Sequence, residues 1–165
     1  MIEIIKHPAI AGAYRLSSKL RLPVPRDELF PFFADAHNLE ELTPSWLNFQ
    51  VLTDPPIDMR VGALIDYRLK LHGFPIRWRT EISVWEPPYR FVDRQLKGPY
   101  RFWIHEHTFE EDGDATIALD QVDYAVPGGS AVHWLLVRRD VERIFQYRHD
   151  ILMRRFAQSL AHVGH

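Results

Sequence analysis

Cysteine is absent from the 165 residues. Disulfides, thiolate metal sites and cysteine nucleophiles are therefore excluded, and the absence fits a reducing cytoplasm. An excess of one charge is missing too. The 20 Lys and Arg face 22 Asp and Glu, for a formal net charge of −2, so the chain has no basic footprint and no nucleic-acid partner is expected. No apolar run approaches the roughly 20 residues that a spanning helix needs, so no membrane insertion is expected. The segment MIEIIKHPAIAGAY contains Glu3 and Lys6 and lacks the layout of a signal peptide. Internal repeats, low-complexity tracts and a G-x-S-x-G elbow are also missing. PGG at 127–129 lacks the spacing of a phosphate-binding loop. The expectation is a soluble cytoplasmic protein, monomeric or homodimeric.

Apolar residues are plentiful, at 46% with 13% aromatic. That composition supports one globular domain over 1–165, with 1–12 read as a loose arm because they show no clear periodicity. YRLSSKLRL (14–22) reads as a first strand. Pro25 then opens a helix with acids in its first turn and a stripe of Leu29, Phe32 and Phe33. A second short helix follows at about 36–42. From Trp46 the period becomes two. Strands are expected in WLNFQVLT, in ALIDYRLKLHG (Ile65, Tyr67, Leu69 and Leu71 on one face), in FPIRWRTEISVWE (Trp78, Thr80, Ile82 and Val84 together), in RFVDRQLKG, in PYRFWIHEHTFEED and in ATIALDQVDYAV. Short turns join these six strands, which predicts an antiparallel meander. Residues 131–162 contain no Gly or Pro, and Val137, Val141, Ile144, Ile151, Leu152 and Phe156 recur at helical spacing. A helix of that length spans about 45 Å and can lie across a sheet.

The densest chemistry lies in FWIHEHTF (102–109). His105 and His107 share a strand face with Trp103 and Phe109, and the flanking aromatics point that face inward. Neighbouring strands bring Asp93, Gln95, Asp120 and Tyr124 to the same side if parity matches. Together they would form a polar floor in an apolar pocket, where Asp and His pair naturally; mutual satisfaction within the sheet would account for them equally well. A metal is not expected, because no third ligand of recognisable spacing accompanies the H-x-H pair. Arg77, Arg79 and Glu81 read as a solvated outer face of cross-strand ion pairs.

VPRDELFPFFADAHNLEELTP, WEPPYRFVDRQLKGPYRFWIHEHTF and TIALDQVDYAVPGG, in this order of elements, resemble the START-like (SRPBCC) superfamily over about 13–160. Within it the chain is most similar to small bacterial proteins of the polyketide cyclase/dehydrase type. The resemblance implies an α+β helix-grip fold: a curved antiparallel sheet wrapped around a long C-terminal helix, with two short helices after the first strand. It also implies a hydrophobic or amphipathic small-molecule ligand, lipid- or polyketide-like, held between sheet and helix. Tyr67, Trp78, Gln95, Trp103, His105, His107, Tyr124 and Phe145 are the expected ligand-binding residues, with no cofactor. Two other readings stand beside binding. One is a cyclase or aromatase working through His105, His107, Asp93 and Asp120, with Tyr124 as donor. The other is a protein-interaction or chaperone-like module.

Overall fold

The computed structural model describes residues 1–157. The chain runs through β1 (Ile2–Lys6), β2 (Ala13–Leu22), α1 (Arg26–Ala34), two 3₁₀ turns (Ala36–Leu39 and Ser45–Leu47) and β3 (Gln50–Val51). It continues through β4 (Leu64–Leu71), β5 (Phe74–Glu86), β6 (Arg90–Lys97), β7 (Phe102–Asp112) and β8 (Ala115–Ala125). It ends in α2 (Gly129–Val132), a π-helical turn (His133–Val137) and α3 (Arg138–Ala157). The strands form one antiparallel sheet in the order β1-β2-β8-β7-β6-β5-β4-β3. This is the expected helix-grip architecture: a curved sheet with the C-terminal helix laid across its concave face.

Four local expectations are corrected. The N-terminal residues are not a loose arm: β1 pairs along β2 from Ile2 with Ser18 to Lys6 with Tyr14. Ile4 is buried there among Leu16, Val122 and Val141. WLNFQVLT is mostly not a strand. Pro44 leads into the 3₁₀ turn and Asn48 takes a left-handed φ of 45°, which breaks extension and leaves only Gln50–Val51 to pair with β4. In β5 a register shift between Ile82 and Val84 turns the strand over. Trp85, not Val84, then joins the core, 5.5 Å from Phe30 and 5.6 Å from Phe91, because a bulge offsets the two-residue alternation by one. Finally, the C-terminal helix is interrupted by the π turn. The part of it expected at 158–162 lies outside the described residues.

The remaining pattern holds. Ile65, Tyr67 and Leu69 on β4 are buried, as are Thr80 and Ile82 on β5. In α1, Asp27 and Glu28 occupy the first turn after Pro25, where acids suit the helix dipole, and Leu29, Phe30 and Phe32 are buried. Two apolar clusters result. The larger joins α1 and the end of α3 to β4–β8. The smaller joins Tyr14, Val122 and Tyr124 to Val141 and Phe145. Asp66 with Arg79, and Glu81 with Arg94, form ion pairs on the outer face, as expected.

Candidate functional site

Strand register assembles the polar centre. Across β2, β8, β7 and β6, Ser18, Asp120, His107 and Phe91 stand abreast in one row, and Leu16, Val122, His105 and Asp93 in the next. Side chains alternate faces along a strand, so both rows point toward the helix. His105 and His107 are each only 5% exposed, so neither faces water.

The shortest polar contacts run diagonally between the rows. His105 Nε2 donates to Asp120 Oδ1 over 2.8 Å, and His107 Nε2 donates to Asp93 Oδ2 over 2.9 Å. The other nitrogen of His107 is 3.2 Å from Asp120 Oδ1 but is off line for a hydrogen bond. The two imidazole centroids are 3.7 Å apart, and His107 stacks on Phe91 at 4.2 Å. Behind Asp120, Ser18 Oγ lies 2.6 Å from Nε2 of His149 on α3. The polar floor thus continues under the helix.

These neighbours divide charge unequally. Burial opposes ionisation of Asp120, but the hydrogen bond from His105 and the close approach of His107 hold its carboxyl well below the usual range. Burial likewise opposes ionisation of Asp93. The His107 hydrogen bond and the charges of His105, His107 and Arg148 outweigh it, so this carboxyl also sits low. Burial and the charge of His107 push His105 down despite its two carboxylate neighbours. For His107, burial is outweighed by its contacts with Asp120 and Asp93, and its pKa rises. The two carboxyls and His107 are thus shifted toward their charged forms, and His105 toward its neutral form.

A cavity of about 160 Å³ lies between this cluster and α3. Of the residues expected to bind ligand, Tyr67, Trp78, Trp103, His105, His107 and Phe145 line it, and so does Asp93. Three expected residues are turned elsewhere. Asp120 supports the histidines from behind. Gln95 is tied to the β6–β7 loop, where its side-chain amide donates to Tyr100 O over 2.8 Å and accepts from Tyr100 N. Tyr124 is fully buried, with its hydroxyl 3.0 Å from His133 Nε2, so it is not placed to donate into the cavity.

Sequence reasoning missed Arg148. It lines the cavity and is 8% exposed. The signal was legible: Arg148 sits three residues after Phe145 and four before Leu152, inside the apolar stripe of the helix.

Asp93, His105 and His107 offer ligand atoms that all lie within 4.8 Å of one another. The fold therefore supplies the third group that spacing did not reveal. Within this trio only His107 Nε2 and Asp93 Oδ2 are hydrogen-bonded to each other, while His105 is held by Asp120.

Fold and site together define a START-like, SRPBCC-type helix-grip protein with an internal cavity. The chain belongs to the family "Polyketide cyclase / dehydrase and lipid transport", whose model matches residues 22–149. Among solved structures it is similar to the Zhui aromatase/cyclase from Streptomyces sp. R1128, with TM-score 0.68 and 14% identity over 92% of this chain and 98% of that one. It is also similar to protein Ms6760 from Mycobacterium smegmatis, with TM-score 0.65 and 15% identity over 96% and 99%. Ginseng major latex-like protein 151 from Panax ginseng gives TM-score 0.65 and 10% identity over 87% and 97%. At these identities the likeness is one of fold. No curated protein matches the chain in sequence.

Proposed function

We propose that the protein binds a hydrophobic or amphipathic small molecule between the sheet and α3. One observation carries this reading: aromatic walls from Tyr67, Trp78, Trp103 and Phe145 converge on the buried Asp93–His105–His107 group. A mostly apolar pocket with a few convergent polar groups suits a ligand that is apolar over most of its surface and polar at one point. The cavity faces inward, which favours a small ligand over a protein partner. Native mass spectrometry of the purified protein should reveal a co-purifying small molecule, and calorimetry with polycyclic aromatics should show binding. Leu69→Trp, which fills the cavity, should melt cooperatively and bind none of them. Undiminished binding by that variant would place the ligand elsewhere.

A second reading, a cyclase or aromatase like the Zhui protein, is favoured by the opposed shifts of the two histidines. Asp120 accepts the Nε2 proton of His105, which leaves Nδ1 as the free base, while His107 retains a proton to give. Such a pair suits proton removal beside a ketone and protonation of a leaving hydroxyl. Catalysed solvent-deuterium exchange at the central carbon of an aryl 1,3-diketone, lost in His105→Gln, is the expected result. Exchange at the uncatalysed rate in the wild type would remove the enzymatic reading and leave binding.

A further inference from the structure

We infer that the ligand carries an oxyanion, a carboxylate or enolate on an apolar skeleton, and that Arg148 is its receptor. The inference rests on the ligand-binding reading above and names the polar end of the ligand.

The stripe of α3 that faces the sheet reads Val141, Phe145, Arg148, Leu152, Phe156, all buried. An apolar residue at 148 would complete that stripe with no charge to desolvate. Arginine there puts five donors that cannot shed their proton beside the cavity. Several arginines nearer the surface hold carboxylates: Arg15 holds Asp123, Arg79 holds Asp66 and Arg90 holds Glu86. Arg148 holds none. Its Nε is buried without a hydrogen-bond partner among the described residues. The Phe145 ring lies 5.2 Å from its guanidinium carbon. Asp93 shares the cavity but lies beyond ion-pair range and is engaged by His107.

No other Arg or Lys lines the cavity among the described residues. Of the charged groups that line it, Asp35 and Asp93 would repel an entering anion and Arg148 would draw it. A planar oxyanion with two acceptors matches the guanidinium fork. A neutral alcohol fills the same apolar space without completing the pair.

The test is calorimetry at neutral pH with 2-naphthoate and 2-naphthalenemethanol, on wild type, Arg148→Met and Arg148→Lys. Wild type should bind the carboxylate at least tenfold tighter than the alcohol. Arg148→Met should lose that preference and bind the two probes alike, with a melting temperature equal or higher, because a buried charge without an ion-pair partner among the described residues has been removed. Arg148→Lys should recover part of the preference. Equal binding of both probes by wild type, or a preference kept in Arg148→Met, overturns the inference while leaving the cavity reading intact. A lowered melting temperature in Arg148→Met with the preference kept assigns the arginine to structure. Binding of neither probe by wild type overturns the cavity reading, and this inference with it.

Discussion

Two imidazoles and two carboxylates behind one cavity wall make the individual side chains interdependent. His107 lies between Asp93 and Asp120, so His107→Gln replaces a ring that faces both carboxylates, and that they favour in its charged form, with a neutral amide. The loss should be about 2–3 kcal/mol, above the roughly 1 kcal/mol of one neutral hydrogen bond. Asp120→Asn should also destabilise, and the double variant should lose less than the sum, because each single change strands the other's charge. Additive losses in urea unfolding would count against a shared cluster. The pH dependence follows from direction. His133 stacks on Tyr14 at 3.3 Å between centroids, and burial pushes its pKa down to about 4. Unfolded, it titrates near about 6.5. Between these values the unfolded chain takes the proton and the folded chain refuses it, so stability falls as pH drops through that window. His105 and His149, both held low, act in the same sense. The depressed Asp93 and Asp120 add a further loss as pH falls below the ordinary carboxylate value of about 4. His107, held high, works the other way: its contribution is complete below about 6.5 and lost as pH rises through its folded value. Urea unfolding from pH 8 to 4 should show a maximum. His133→Phe should have a shallower acid limb, by up to about 1.4 kcal/mol per pH unit. An unchanged limb would show that His133 is protonated in the fold.

Two breaks in regularity position the elements around the cavity. The bulge in β5 lets Trp85 close the core beside Phe30 while Trp78 remains on the cavity wall. The β6–β7 loop is held by Gln95 against Tyr100, and a Cβ at Gly98 would fall 2.3 Å from Gln95 Oε1. Gly98→Ala should therefore cost about 1–2 kcal/mol by breaking that pair; a neutral result in thermal melting would show that the loop can shift. The C-terminal helix is the largest single cover of the concave face. Ending the chain near residue 130 removes Val141, Phe145, Leu152 and Phe156, and exposes the apolar face they cover. The truncated protein should aggregate, and a soluble, cooperatively melting product would contradict the helix's role as a wall.

At the scale of the whole molecule, the curved sheet and α3 enclose apolar space, and the polar groups that touch it come from β5, β6, β7, α3 and the segment after α1, which supplies Asp35, Asn38 and Thr43. No described helix is long and apolar enough to cross a membrane. The same enclosure brings Asp93, His105 and His107 to ligand distance of one another, so metal content is a test of the whole arrangement. Because His107 is engaged with Asp93 and His105 with Asp120, elemental analysis should find well below one zinc or iron per chain. About one per chain, lost in His105→Ala, would establish a metal centre.

The helix-grip order was legible in the sequence because hydrophobic period is local. Period two through 64–71 and 102–125 and a helical stripe from Val141 to Phe156 need no tertiary information. The inward turn of His105 and His107 was legible from the flanking Trp103 and Phe109. Other features depended on long-range pairing. The N-terminal strand exists only because β2 offers an edge, and β5 turns over at a bulge that no alternation announces. Parity placed Gln95, Asp120 and Tyr124 near the cavity, but only the packed fold turns Gln95 to its loop, Tyr124 to His133 and Asp120 behind the histidines. Arg148 was readable as a polar intruder in an apolar stripe. That it is buried with no partner among the described residues was decided by the sheet closing over it, because burial is a property of what packs above a residue and not of its neighbours in sequence.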